Sequence, residues 1–369
     1  MTSSRKEQKL SLCDSLFGSG RKGGGGDGNG LFSRSVKDDR APTKRARRGS
    51  TKKKNPTDTN NAPLTPQELW KQRQKQYNKN KEEINHWELI YDPRIPEDVF
   101  AEDVRSTCHT YGLAVVRKAL DPKVLERLQV CANQQRTQLC QALEKRNLTY
   151  NDETNNVDPV CFQEVVVRCK GRMDARYRKS DTDDDTVNFW HDHTLLQQTI
   201  GALLYGEEHM PKLVYAGWIF SFPGSDNQPW HQDGIPLYPG NTVTPNLPPY
   251  AINVFIPLNS ADGSLQAGPT EFVVGSHRQT VQHAMQATKD PNSPSLACPV
   301  LEQGDFLLYD YRICHRGTAN LTHVVEENNP GRVRSILYLM YSRPWFHEHL
   351  NFGTVKLLQD TSCESRTEE

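Results

Sequence analysis

The sequence of 369 residues contains no Cys-x-x-Cys pair, although it has nine cysteines. An odd count without paired spacing argues against a disulfide framework and against a structural zinc cluster. No apolar run approaches the roughly 20 residues that a membrane-spanning helix needs, and the N-terminus has no apolar signal core. We therefore expect an intracellular protein in a reducing compartment, nuclear or cytoplasmic, without a membrane span.

The chain also lacks net charge, because its 45 basic and 45 acidic residues balance. The balance is uneven along the chain, since residues 1–60 contain 15 Lys or Arg and 6 Asp or Glu and carry a net charge of +9. The remainder therefore carries −9. A basic segment joined to an acidic body indicates two different roles.

Residues 1–62 are rich in Gly, Ser, Lys and Arg and have few apolar residues, so we expect a disordered basic arm. Residues 44–48 (KRARR) and the lysines at 52–54 resemble a nuclear-import signal or a tail that contacts nucleic acid. A solvated basic linker is the alternative interpretation. Because the acidic body would repel phosphates, nucleic-acid binding is expected only through the arm.

Beyond the arm, the sequence predicts three further segments: a helical extension over 63–94, a large domain over 95–350 and a tail over 351–369. The extension begins at Thr65 and Pro66, which suit the N-cap and first position of a helix. Within the domain, the apolar spacing predicts helices over 98–110, from Asp121 onward, and over 195–204.

Short β-branched and aromatic runs bounded by Gly, Pro, Asn and Asp predict the strands. They cover 112–118, 162–168, 213–222, 251–258, 271–274, 305–311 and 333–341. Helices mostly precede strands, which predicts an α+β fold with a jelly-roll core buttressed by N-terminal helices.

A His-x-Asp motif at His231 and Asp233 follows a predicted strand and a Pro-Gly turn. In extended chain, residues i and i+2 point to the same side, so both side chains can meet one ion. His315, at the end of a strand predicted over 306–313, can supply a third ligand across the mouth of a jelly roll. Two His and one carboxylate on one face are the ligand set of non-haem Fe(II) oxygenases, whose open positions accept a 2-oxo acid and O₂.

A 2-oxo diacid also needs a cation for its distal carboxylate. Arg332 and Arg334 open the last predicted strand, and the planar guanidinium matches a carboxylate bidentately. We favour Arg334 because it lies further into the strand, while Arg332 remains the alternative. A rival cluster, His191 and His193, lies where a helix begins, and residues two apart do not share a helix face. We interpret those histidines as helix-start residues.

Taken together, these motifs resemble the phytanoyl-CoA dioxygenase family of Fe(II)/2-oxoglutarate-dependent oxygenases, in order and spacing, over most of residues 95–346. The matching pieces are Phe222-Pro223-Gly224, Gln228-x-x-His231-x-Asp233, the strand 251–258, Gly268 to Phe272, Gly275-Ser276-His277, Gly304-Asp305, His315-x-Gly317-Thr318-x-Asn320, and the Arg334 strand ending at Arg343-Pro344-Trp345-Phe346. The combined match is specific, although no single piece is.

The resemblance implies a double-stranded β-helix core of the cupin type, with Fe(II), 2-oxoglutarate and O₂ as cofactor and co-substrates. It implies His231, Asp233 and His315 as catalytic metal ligands and Arg334 as the anchor of 2-oxoglutarate. Asn253 is expected to touch the same co-substrate, and Thr318 to supply the hydroxyl that Gly317 lacks. The gap of 19 residues from His315 to Arg334 is longer than the family's usual spacing.

The implied reaction is hydroxylation of a small organic substrate, lipid-derived or a small metabolite, coupled to decarboxylation of 2-oxoglutarate to succinate and CO₂. Asp233 favours hydroxylation, because a small residue there would open a site for a halide. The alternative is a catalytically silent jelly-roll protein with a binding or regulatory role. A nuclear location is one option for such a protein.

Overall fold

The computed structural model describes residues 86–150, 160–178, 192–204, 212–234, 247–259, 265–290, 293–325, 331–348 and 352–358, together with Thr65, Glu68, Lys71, Lys75 and Leu237. The basic arm, most of the predicted extension, and the tail beyond Leu358 lie outside these residues. At the start of the extension, Glu68 N donates to Thr65 Oγ1 over 3.3 Å and Thr65 N donates to Glu68 Oε2 over 2.8 Å. This reciprocal capping box confirms the predicted helix start.

The predicted helices of the domain are confirmed. The helices are α1 Glu97–Tyr111, α2 Pro122–Lys145, α3 Thr194–Leu204, α4 Val281–Ala287 and α5 Thr322–Val325. Helix α1 ends at Gly112, whose φ of 83° suits glycine and lets its N–H bond to the Cys108 carbonyl. Helix α2 begins at Asp121, whose carboxylate accepts from the Lys123 N–H. None of the helices in the described ranges is both long and apolar enough to cross a membrane.

Eleven strands form two sheets in the described part of the chain. They are β1 Glu88–Ile90, β2 Leu113–Arg117, β3 Val165–Cys169, β4 Arg172–Arg176, β5 Lys212–Ser221, β6 Ala251–Pro257, β7 Thr270–Val273, β8 Leu296–Ala297, β9 Phe306–Asp310, β10 His315–Gly317 and β11 Arg334–Ser342. The large sheet has the order β1-β2-β9-β6-β11-β5-β4-β3, and the small sheet the order β10-β7-β8. Only the β1–β2 pair is parallel, so the large sheet is mostly antiparallel.

The two faces of the large sheet have different neighbours. Side chains alternate along a strand, so Leu337 and Leu339 of β11 point to one face and join a core with helices α1, α2 and α3. Ile336 points to the other face and packs with Tyr309 of β9 and Phe272 of the small sheet. We call these the outer and the inner face. The inner face is therefore covered by the small sheet.

Two features differ from the sequence expectation. Strands β1 and β4 were not predicted, and with the predicted β2 and β3 they alternate with the first helices and extend both edges of the large sheet. Also, β9 ends at Asp310, and a turn separates it from His315, which begins β10 in the small sheet. The turn forms because the Arg312 N–H and the Ile313 N–H both bond back to Asp310. Cys108 and Cys314 are free thiols buried in the domain.

Candidate active site

Three side chains predicted as metal ligands meet at one end of the inner face. The nearest oxygen of Asp233, Oδ1, lies 3.8 Å from His231 Nε2 and 3.5 Å from His315 Nε2. One ligand atom from each residue lies within 4.8 Å of the other two. The side chains of His315, Asp233 and His231 are 5%, 18% and 35% exposed, so the cluster opens to one side only.

Backbone pairing brings the two histidines together across 84 positions of sequence. His231 N donates to the His315 carbonyl over 3.0 Å, and His315 N donates to the His231 carbonyl over 2.8 Å. This isolated bridge extends the small sheet by one residue pair. Because it fixes both main chains, the spacing of the two imidazoles does not depend on a bound ion.

Both histidine rings direct Nε2 toward Asp233, because Nδ1 of each ring faces a backbone carbonyl. His231 Nδ1 lies 2.8 Å from the Pro229 carbonyl, and His315 Nδ1 lies 3.0 Å from the Ile313 carbonyl. A carbonyl only accepts, so each Nδ1 donates and each neutral ring keeps a free lone pair on Nε2. Such backbone contacts set the tautomer and orientation of metal-binding histidines in proteins.

Asp233 is held by residues from three other segments. Asn253 Nδ2 donates to Asp233 Oδ2 over 2.5 Å, and the Tyr338 hydroxyl donates to Asn253 Oδ1 over 3.2 Å. The Tyr311 hydroxyl donates to the Asp233 main-chain carbonyl over 2.8 Å. Gly234 leaves room for the Tyr311 ring, which any Cβ at this position would strike. The Asn253 amide orients Asp233 and leaves Oδ1 toward the histidines, and a contact of Asn253 with the co-substrate stays a prediction.

Burial favours the neutral forms of His231, Tyr309 and Tyr338. It lowers the pKa of His231 to about 4, with a second contribution from neighbouring His315. Burial also raises the pKa of Tyr309 and of Tyr338 well above the ordinary range, and the charge of Asp233 adds to it. A neutral imidazole is the form that binds a metal, so the protein presents His231 ready for coordination at physiological pH.

Two guanidiniums lie further along the inner face. Arg334 Nη1 donates to the Gly268 carbonyl over 2.8 Å, and Arg172 Nη2 donates to the Thr318 carbonyl over 2.7 Å. Burial and the neighbouring Arg172 lower the pKa of Arg334 to about 9. Neither guanidinium pairs with a carboxylate in the part of the chain that the structure describes. Two buried cations without a counter-charge favour binding of an anion.

Three other residues discussed from the sequence, Arg332, Thr318 and Gly317, lie near these two arginines. Arg332 precedes β11 and is exposed, whereas Arg334 begins the strand on its inner face. The Thr318 hydroxyl donates to the Pro269 carbonyl over 2.6 Å, and its role at the co-substrate stays a prediction. Gly317 leaves the space that Arg172 Nη1 and Gln228 Oε1 occupy, which explains the missing hydroxyl at that position. Sequence reasoning missed Arg172, since its strand was not predicted.

A charged and aromatic cluster lies at the same end of the inner face as Asn253, away from Arg172 and Arg334. We call it the mouth cluster, consisting of Arg168, Asp174, Arg176, Tyr215, Glu348 and Phe352. Burial, together with the charge of Asp233, raises the pKa of the Glu348 carboxyl to about 7, while Arg168 opposes the shift. Burial likewise raises the pKa of Asp174, and Arg168 opposes it. Asp233 contributes to the raised pKa of both carboxyls, so the mouth cluster lies within electrostatic reach of the His–Asp–His cluster.

The rival histidine cluster has no counterpart in the described residues. His193 lies just before α3, and its Nδ1 accepts from the Leu196 N–H over 3.3 Å, as expected of a helix-start residue. His191 lies outside the described residues. Among those residues, His231, Asp233 and His315 are the only group placed to hold a metal.

The donor set fits Fe(II). Two neutral imidazole nitrogens and one carboxylate oxygen on one side of the ion leave the other side open, as in non-haem iron oxygenases. A structural zinc site would close the coordination shell with a fourth protein ligand, and the described residues supply none. The guanidiniums of Arg334 and Arg172 fit the far carboxylate of 2-oxoglutarate.

Comparisons with known proteins agree with this chemistry. The family model "Phytanoyl-CoA dioxygenase (PhyH)" matches residues 108–325, more than half of the chain. No curated protein matches significantly. The structure is similar to that of AviO1 from Streptomyces viridochromogenes Tue57, with 21% identity over 68% of this chain and 96% of that one and a TM-score of 0.45.

It is also similar to SnoN, a non-heme alpha ketoglutarate dependent epimerase from nogalamycin biosynthesis, with 14% identity over 66% of this chain and 81% of that one and a TM-score of 0.42. With TM-scores this low, the assignment rests on the family match and on the cluster of ligands. The family match ends before β11, so Arg334 lies beyond it. The chain belongs to the phytanoyl-CoA dioxygenase family and is an oxygenase that depends on Fe(II), 2-oxoglutarate and O₂.

Proposed function

We propose that the protein hydroxylates a small organic substrate, lipid-derived or a small metabolite, and that His231, Asp233 and His315 bind the iron. The observation that carries this proposal is the inward direction of both Nε2 atoms toward Asp233 Oδ1, at 3.8 and 3.5 Å. The retained carboxylate favours hydroxylation, because it occupies the position that a halide would need.

Arg334 is proposed as the main anchor of 2-oxoglutarate, with Arg172 beside it. Both guanidiniums lie on the inner face, since Arg172, Ser221 and Arg334 are directly paired across β4, β5 and β11. When bound, iron and 2-oxoglutarate would supply the electrons that activate O₂, which is the oxidant: one oxygen atom goes to succinate, formed with CO₂ from 2-oxoglutarate, and the other to the hydroxyl group of the product. The protein contributes the orientation of the co-substrate between the ligand cluster and the two arginines.

The surrounding aromatic side chains exclude water from one side of the ligand cluster. The His315 ring stacks on Phe272 at 5.7 Å between centroids and lies 5.0 Å from the Tyr309 ring. A dry wall strengthens the electrostatic interactions of the site and limits side reactions. We also propose that the facing sheets form a double-stranded β-helix, supported by the metal ligands at one end and the anchoring arginines along the same face.

We further propose that the basic arm over residues 1–62 directs the protein to the nucleus, on the basis of residues 44–48 and the lysines at 52–54. In this proposal the arm, the extension over 63–94, the catalytic domain over 95–350 and the tail over 351–369 are separate segments. Fluorescent fusions of the full chain and of a variant lacking 1–62 test the import role. Equal nuclear fractions for the two fusions would reject it.

Anaerobic titration of metal-free protein with Fe(II) and then 2-oxoglutarate tests the enzymatic proposal. A chelated complex gives a weak visible charge-transfer band. We expect the band with the natural protein, its loss in His231→Ala, and its retention in His283→Ala, which changes an exposed histidine on α4. Natural protein that binds no iron would overturn the proposal. A band without succinate release for any substrate would favour the catalytically silent alternative.

A further inference from the structure

Arg176, at the end of β4, has no carboxylate within ion-pair distance among the described residues. In the described part of the chain it forms no ion pair, and its Nε is buried without a hydrogen-bond partner. Its guanidinium forms a cation–π contact with the Phe352 ring, whose centroid lies 4.5 Å from the guanidinium carbon. The cation–π contact fixes the plane of the guanidinium and leaves its N–H groups available to a bound acceptor.

Arg168, on neighbouring β3, differs from Arg176 because it forms an ion pair with a carboxylate. Its Nη2 lies 3.1 Å from Asp174 Oδ2, and the guanidinium carbon lies 5.9 Å from the Phe352 centroid. Asp174 is thus neutralised by Arg168 and also accepts from the Tyr215 hydroxyl over 3.4 Å. Glu348 is the other acid of the mouth cluster; the charge of Arg176 acts to lower its pKa, but no ion pair joins the two side chains.

A continuous line of contacts connects the mouth cluster with the metal ligands. The Tyr215 ring lies 5.1 Å from the Tyr338 ring. Tyr338 bonds to Asn253, which bonds to Asp233. Cross-strand pairing places Arg176 on the same face, because Arg176, Gly217 and Tyr338 are directly paired across β4, β5 and β11.

Residues 352–358, which we call the roof, place Phe352 over Arg176 and are held by main-chain hydrogen bonds. Gly353 N donates to the Phe162 carbonyl over 3.0 Å, and Leu357 N donates to Glu164 Oε2 over 2.8 Å. A Cβ at Gly353 would collide with the Cys161 carbonyl. Phe352 also stacks on Tyr215 at 5.6 Å. The roof therefore holds an aromatic ring over the guanidinium at a defined distance.

We propose that Arg176 binds a carboxylate of the substrate, so that the protein acts on an organic acid whose body lies along Tyr215 and Tyr338 toward the metal ligands. This inference rests on the proposed function and specifies its substrate class. The co-substrate does not take this position, since Arg172 and Arg176 are four residues apart on one strand, about 13 Å, and 2-oxoglutarate is assigned to Arg172 and Arg334.

Two matched probe sets test the proposal: 3-phenylpropanoate with its amide and its ammonium analogue, and octanoate with octanamide. Binding is measured by calorimetry to anaerobic full-length protein saturated with Fe(II) and 2-oxoglutarate. We expect at least one carboxylate to bind about tenfold more tightly than its amide, as a charge-assisted hydrogen bond provides. Saturation with 2-oxoglutarate removes competition at Arg334.

Variants at Arg176 assign the preference to this residue. Arg176→Met should abolish the preference for the carboxylate, Arg176→Lys should restore part of it, and Arg176→Glu should shift preference toward the ammonium probe. Arg105→Met, which changes an exposed arginine on α1, is the matched control and should behave as the natural protein does. The charge-transfer band should persist in all four variants, which shows that the iron and co-substrate sites are intact.

The outcomes separate the two proposals. A natural protein without the band would overturn the proposed function, whatever the probes do. A normal band with equal binding of carboxylate and amide, or with no binding of either, would overturn the role of Arg176. A carboxylate preference that survives in Arg176→Met would place the recognising cation elsewhere and also overturn it.

Discussion

The outer and inner faces of the large sheet come from the same strands but have opposite character. On β11, Leu337, Leu339 and Tyr341 point outward into the apolar core with the helices. Arg334 and Tyr338, on alternate positions of the same strand, point inward and carry charge or a hydroxyl. The outer face therefore stabilises the fold by apolar burial, and the inner face places the polar groups that bind ligands.

The arginines of the domain show the same division. Arg117 pairs with Asp305 over 2.6 Å, and Arg312 pairs with Asp310 over 2.7 Å, both outside the site. On the inner face, Arg172, Arg334 and Arg176 have no carboxylate partner in the described residues. Paired arginines join segments of the fold, whereas arginines without a partner are available to anionic ligands.

The largest expected effect is on the inner face. Asp233→Ala removes a ligand and should weaken Fe(II) binding by more than about 100-fold, because even residues that only orient ligands contribute about 10–100-fold. The metal-free variant should keep its melting temperature, since Asp233 lies outside the apolar core. Competition with a fluorescent chelator measures the affinity. Unchanged affinity would remove Asp233 from the ligand set.

The reverse effect is expected on the outer face. Leu339 is fully buried, and Leu339→Ala should lower the free energy of unfolding by about 2–5 kcal/mol through lost burial and a cavity. The folded variant should bind Fe(II) and 2-oxoglutarate as the natural protein does. Urea unfolding measures the loss, with exposed Val130→Ala on α2 as control. Weaker iron binding by folded Leu339→Ala would show that the two faces are coupled.

The next effect tests the arginine assignment within the inner face. Arg334→Met should weaken 2-oxoglutarate binding by about 2 kcal/mol, or about 30-fold, because a charge-assisted hydrogen bond to the distal carboxylate is lost. Exposed Arg332→Met is the control and should change binding little. Titration of the charge-transfer band at increasing 2-oxoglutarate measures both. A larger loss in the Arg332 variant would reverse the assignment.

The smallest effect concerns pH. Burial raises the pKa of Glu348 from near 4.5 to about 7, so the folded metal-free protein holds this proton more tightly than the unfolded chain. Between these values, ionisation of Glu348 makes the folded state progressively less stable as pH rises. Glu348→Gln should therefore raise the melting temperature above pH of about 7 and leave it unchanged below about 4.

Exposed Glu102→Gln on α1 is the control for that measurement. Its carboxylate pairs with Arg105, and the hydrogen bond from Arg105 lowers the pKa of Glu102. Removal of an exposed pair has little effect on stability. The two variants should therefore diverge as pH rises through about 7. Parallel melting curves against pH for the two would contradict the shifted pKa of Glu348.

Much of the fold could be predicted from the sequence because its signals are local. Helical spacing and the caps at Thr65 and Asp121 were sufficient for the helix starts. Strand β4 was missed because Arg172, Asp174 and Arg176 alternate with only Met173 and Ala175, which is a weak apolar pattern. Those polar side chains lie on the inner face, where ligands are proposed to bind. The residues that serve function therefore weaken the apolar pattern by which a strand is predicted.

The sequence by itself determined that His231 and Asp233 share a side, since two-residue spacing in extended chain depends only on local geometry. It also provided the family motifs over most of residues 95–346, and the family model matches residues 108–325 within that range. Only the tertiary structure decided that His315 begins a separate strand beside His231, that Asn253 holds Asp233, and that the buried Nε of Arg176 has no hydrogen-bond partner. Each of these depends on contacts between distant segments, which no local pattern encodes.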